Sequence, residues 1–82
     1  MSNKQVTYYN HTIGAKVKVT EEGKAFTDRM YGKKILEDVI YGVIKDSEGW
    51  DTLIVDWYNH KGMRVVDGWY IKMEHLEYYE DN

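Results

Sequence analysis

From Thr52 to Asn59 the side chains change character at every step. Leu53, Val55 and Trp57 fall on one face of an extended chain, and Ile54, Asp56 and Tyr58 on the other. With three β-branched residues and two aromatics in eight positions, the run predicts a pleated strand. Gly68 to Glu74 repeats the pattern: Trp69, Ile71 and Met73 alternate with Tyr70, Lys72 and Glu74, as in an antiparallel strand with one wet face. Asn59-His60-Lys61-Gly62 lies between them as a turn in which Gly62 can take a positive φ. Met63 to Val66 can extend the far arm, and Asp67-Gly68 then marks a bulge or a second turn. No apolar stripe at i, i+3, i+4 survives across Asp51 to Leu76, so the stretch does not read as helix.

The rest of the chain reads as material that wraps or closes this hairpin. Ile13 to Thr20 alternates Ala15, Val17 and Val19 with Lys16, Lys18 and Thr20, a strand with one basic face. Glu21-Glu22-Gly23 reads as a turn. Lys24 to Leu36 has two readings: one short helical turn around Phe26 and Met30, ended by Gly32, or a long irregular loop. Asp38 to Asp46 predicts a strand that is apolar on both faces in its middle, hence central, with Gly42 at a bend. Asp46-Ser47-Glu48-Gly49 predicts the hairpin turn into the strand that follows. Glu74-His75-Leu76 predicts a single 3₁₀ turn, and Leu76 to Tyr79 a short closing strand. The expected organisation is an N-terminal arm over residues 1–12, one domain over 13–79 and an acidic end over 80–82. In the arm, Val6 and Tyr8 share a face if it is extended; the other reading is a segment with little packing of its own. The expected core is Val17, Val19, Val39, Val43, Ile44, Leu53, Val55, Trp57, Ile71 and Leu76.

Charge and composition narrow the functions open to such a domain. The 82 residues carry a net charge of −3, divided as +3 over residues 1–20, −2 over 21–49 and −4 over 50–82. A net acidic chain without a basic block argues against binding to a nucleic-acid backbone or an anionic membrane surface. The absence of Cys removes disulfides, thiolate metal sites and a cysteine nucleophile. It also fits a reducing compartment, so the expected location is the cytoplasm. Residues 1–10 lack the apolar stretch of a signal peptide, and no apolar run approaches the length of a membrane span.

Candidate chemistry is sparse. His11, His60 and His75 show no spacing that places two metal ligands together, so no metal site and no cofactor is expected. Glu74-His75 is the only acid–base pair in sequence, and nothing beside it supplies a nucleophile or an oxyanion hole. The seven glycines are isolated and form no phosphate-binding loop. An enzyme is therefore not expected. The aromatic side chains are the better lead: eight Tyr, three Trp and one Phe exceed what a core of this size can bury.

Three phrases bear on fold: Ile13-Gly14-Ala15-Lys16-Val17-Lys18-Val19 at the front, Val55-Asp56-Trp57-Tyr58 in the middle, and Asp67-Gly68-Trp69-Tyr70 leading to Glu74-His75-Leu76-Glu77 at the back. Together with the order of elements over residues 13–79 they resemble the SH3-like small barrel. The resemblance implies a mostly β fold, a single small barrel of about five antiparallel strands with at most one short helical turn. It implies no activity. The chain has no proline, so the one that helps build the groove of peptide-binding signalling SH3 domains has no counterpart, and a Pro-rich ligand is not implied. Short, acidic, tyrosine-rich, cysteine-free single domains also resemble, in composition, small bacteriophage proteins that bind and inhibit a host protein.

The expectation for function is a non-catalytic module that binds another protein. Trp50, Tyr58, Trp69 and Tyr70 are its candidate anchors, because surplus Trp and Tyr on a surface serve interfaces. The first alternative is binding of single-stranded nucleic acid by Lys4, Tyr8, Tyr9, Lys16 and Lys18, the one patch that joins cations to rings. The second is a self-associating structural component.

Overall fold

The computed structural model describes residues 4–32 and 36–79. Five strands and one helix follow in the order β1 (Lys16–Val19), α1 (Glu21–Tyr31), β2 (Val39–Glu48), β3 (Thr52–Asn59), β4 (Arg64–Lys72) and β5 (Leu76–Tyr78), with a 3₁₀ turn over Met73–His75. All strand pairings are antiparallel, in the sheet order β4-β3-β2-β1-β5. The fold is thus mostly β, as the alternation implies. The sheet is compatible with a small barrel-like fold, but its end strands β4 and β5 do not pair, so it is not closed. The expected acidic end at 80–82 lies outside the described residues.

β3 spans the predicted residues and carries the centre of the core: Leu53, Val55 and Trp57 are fully buried. Val17, Ile44, Ile71 and Leu76 join them, one from each of the other four strands. Gly42 of β2 sits opposite Trp57. A Cβ there would overlap Val55 Cγ1 and stand 2.8 Å from Trp57 Cε3, so this glycine lets two strands carry large residues at one level. β4 is one strand with a bulge. Its register against β3 slips between Val55 and Trp57, opposite Asp67-Gly68. Gly68 adopts φ 71°, and its N–H donates to Asp56 Oδ1 at 2.7 Å. Beyond the bulge Ile71 and Met73 are buried and Trp69 is half-buried, while Tyr70, Lys72 and Glu74 are exposed, the alternation the sequence predicts.

Four expectations are corrected. Glu21-Glu22-Gly23 is not a turn but the first turn of α1. Thr20 Oγ1 accepts from the Gly23 N–H at 3.0 Å, and the two glutamates stand where a helix favours acids. The helix has 11 residues rather than a single turn, and Gly23 packs it against His75 and Val19. The β2–β3 turn falls at Gly49-Trp50-Asp51, three residues late. A register shift between Ile44 and Asp46 carries Asp46, Ser47 and Glu48 on into pairing with Ile54, Leu53 and Thr52. The core differs in composition too: Val19 and Val39 only pack against it and Val43 is half-buried, while Val6, Leu36 and Met73 belong to it. Val6 is there because the N-terminal segment is tied to β5. Gln5 bridges Glu77, the Val6 N–H donates to Leu76 O, and the Tyr78 N–H donates to Lys4 O.

Candidate functional site

Thr7 to His11 forms a turn braced almost entirely by polar groups. Asn10 Oδ1 accepts from the Thr7 N–H at 2.8 Å, Asn10 Nδ2 donates to Gln5 O, and the His11 N–H donates to Thr7 O at 3.0 Å. The Tyr78 hydroxyl donates to Asn10 O from β5. Gln5 Nε2 donates to Met73 O and to Leu76 O, both at 2.8 Å, which anchors the turn to the 3₁₀ segment. The two residues carried on this frame are Tyr8 and Tyr9. Their rings are edge-to-face, 5.5 Å apart and 83° between planes, and Tyr9 is 95% exposed.

Across from them stands Trp50 at the tip of the β2–β3 turn, 74% exposed. That turn is fixed to the same 3₁₀ segment, because the Met73 N–H donates to Asp51 O at 2.8 Å. Tyr8, Tyr9 and Trp50 line one cleft of about 310 Å³, with Met73 as its buried part and Asp51, Lys72 and Glu74 as its charged members. Hydrogen bonds within the chain thus set the backbone positions from which these exposed rings project.

Lys72 also lines a second cleft, of about 250 Å³, between α1 and the end of β4. Phe26, Met30 and Tyr31 come from the helix, and Trp69, Tyr70 and His75 from the facing side. Tyr31 packs edge-on against Trp69 with ring centroids 5.0 Å apart, and Phe26 lies 5.0 Å from the His75 ring. Tyr70 is 60% exposed, whereas Trp69 packs partly against the core.

The four candidate anchors therefore occupy three places. Trp50 is in the first cleft, and Trp69 and Tyr70 are in the second. Tyr58 is in neither: it stacks on Tyr41, 5.2 Å and 11° apart, and Tyr79 adjoins Tyr41. The five residues of the nucleic-acid alternative are also divided. Tyr8 and Tyr9 line the first cleft, and none of the three lysines does. Lys16 Nζ lies 4.7 Å over the Tyr41 ring, and Lys18 pairs with Glu77 at 3.5 Å. Tyr8 and Tyr9 thus keep company with Trp50 rather than with Lys16 and Lys18. The turn signal Asn10, three residues after Thr7, is the sequence feature that points to a held turn.

Among the described residues no group of three or more His or acidic side chains is placed to hold a metal ion. His75 Nε2 stands 3.9 Å from Glu74 Oε1. No described helix is long and apolar enough to cross a membrane. In comparisons with protein-family models, curated proteins and solved structures, the chain matches none.

Proposed function

We propose that this protein is a non-catalytic protein-binding module whose binding face is formed by the two aromatic clefts that meet at Lys72. The observation that carries the reading is the braced Thr7–His11 turn. Hydrogen bonds from Gln5, Asn10 and Tyr78 brace the backbone that carries Tyr8 and Tyr9, opposite the exposed Trp50. Folding alone gains little from ordering rings that stay wet. An interface gains when the backbone that carries its aromatic side chains is ordered before the partner arrives. Trp50 and Tyr70 are the anchors on this face, one in each cleft. Trp69 lines the second cleft against Tyr31, and Tyr58 belongs to a separate stack.

An SH3-like barrel, located in the cytoplasm, is the narrower structural reading. The barrel is supported by the order of strands and by the 3₁₀ turn before the last one, and the cytoplasm by the lack of Cys in the sequence. A phage-encoded inhibitor of a host protein is the narrower functional one, supported by the short, acidic, tyrosine-rich, cysteine-free composition.

The test is affinity capture from a lysate with wild type, Trp50→Ala and Tyr70→Ala, the melting temperature of each being checked first. A protein recovered by wild type and lost by at least one variant is the expected result. Equal recovery of every protein by all three overturns the reading. For nucleic acid, a gel shift with single strands at low salt is expected to be absent, since Lys18 is committed to Glu77 and the chain is net acidic.

A further inference from the structure

We infer that the cleft between Tyr8, Tyr9 and Trp50 takes a cationic side chain, and specifically an arginine presented by a basic segment of the partner protein. The inference rests on the protein-binding reading and names what its first cleft recognises.

Four features of the cleft select this occupant. Its walls are the rings of Tyr8, Tyr9 and Trp50, whose faces attract cations, and indole does so best. Tyr8 and Tyr9 stand nearly perpendicular, so a planar group entering beside them meets a ring face and a ring edge together. Among the described residues, two of the three charged members, Asp51 and Glu74, are carboxylates, and Lys72 is the only ammonium. Their sum is negative, as is that of residues 50–82 as a whole, at −4. The buried Met73 offers an apolar contact to an aliphatic stem. Arginine satisfies all of these at once. Its stem covers Met73, its guanidinium stacks on a ring, and its fork donates to a carboxylate. A leucine engages neither carboxylate. A glutamate meets two like charges.

Asp51 and Glu74 are not consumed by the fold. The Asp51 carboxylate accepts from the Thr52 hydroxyl at 3.0 Å, and Glu74 is well exposed beside His75. Each keeps acceptor capacity for an incoming donor. Lys72 opposes the occupant, which gives the inference a variant that should improve binding.

The experiment is an NMR titration of the labelled protein with Nα-acetyl-arginine amide, and in parallel with the leucine and glutamate analogues. The Trp50 indole N–H and the backbone amides of Tyr9 and Met73 are followed. Saturable shifts at these positions are expected with the arginine probe and not with the other two. Asp51→Asn and Glu74→Gln are each expected to weaken the arginine probe by about threefold, and Lys72→Gln to strengthen it by about as much. All three positions are at the surface, and unchanged spectra away from the cleft verify that each variant folds. Equal shifts with the leucine probe, indifference to both carboxylate variants, or no saturable shift at Trp50 overturns the inference. If Trp50→Ala loses a partner in capture while the arginine probe does not bind, the cation inference falls and the binding module stands. If the arginine probe binds while capture is unchanged by both Trp50→Ala and Tyr70→Ala, the protein-binding reading falls and the cation site stands.

Discussion

Gly42, Val55 and Trp57 meet at the point of the sheet where a missing side chain is a structural requirement. Gly42→Ala is expected to cost about 1–3 kcal/mol, because the methyl group overlaps Val55 and the indole and neither lies at a yielding edge of the core. Trp57→Ala is expected to cost about 3–5 kcal/mol. Trp57→Phe should cost much less than that, since among the described residues the buried indole N–H has no hydrogen-bond partner and its removal relieves an unpaired polar group. Trp69→Ala is expected to cost only about 1–2 kcal/mol, as the ring is half-buried and leans on Tyr31. Urea denaturation of the four variants checks the ranking. A Trp69→Ala loss as large as that of Trp57→Ala would place Trp69 in the core proper.

At the level of elements, α1 depends on its ends more than on its buried face. Only Gly23 and Thr27 are buried in it, while Phe26, Met30 and Tyr31 stay exposed toward the second cleft. Thr20→Ala removes the acceptor for the Gly23 N–H and is expected to cost about 1 kcal/mol. Hydrogen exchange should show α1 opening before β3. The bulge in β4 carries a second device. Lys45 donates to Asp67 Oδ1 at 3.1 Å, and this bond, with the nearby Arg64 charge, holds the Asp67 carboxyl below its ordinary 3.8. A depressed value in the folded state contributes stability above the unfolded value, and the contribution is lost as pH falls through the folded one. Asp67→Asn is therefore expected to lower the melting temperature slightly near neutrality and not at all once pH lies below both values. Both side chains are exposed, so high salt should also erase the difference. A pH-independent difference would assign the effect to the bulge backbone instead.

The whole molecule presents two sheet ends. The outer side of β5 meets the N-terminal segment through the Gln5–Glu77 bridge. β4 pairs with β3 alone among the named strands, and a long flat edge of that kind invites another chain. This edge is neither flat nor apolar: the Gly68 bulge interrupts it, and Arg64, Asp67 and Lys72 lie along it. Light scattering is expected to give the mass of a single 9.8 kDa chain. A stable dimer would favour the self-associating alternative. Deleting residues 1–7 should both destabilise the domain, by exposing the core around Val6, and abolish partner recovery, by removing the support of Tyr8 and Tyr9.

Alternation alone determined β3 to the residue, the buried face of Leu53, Val55 and Trp57, and the exposed face of Tyr70, Lys72 and Glu74. In a sheet with one covered side, a period of two has a single reading. Composition made an aromatic surface legible and Trp50 a member of it. Only tertiary structure decided the rest. α1 has a weak apolar stripe, so its existence rests on a cap and on packing under His75, neither of which is periodic. The late β2–β3 turn follows a register shift inside a polar run, where no apolar alternation marks the slip. The first cleft joins positions 8 and 9, 50 and 51, and 72 to 74, which are distant in the chain. They come together through backbone hydrogen bonds of Met73 with Asp51 and of Val6 with Leu76, which any side chain permits and no sequence pattern announces.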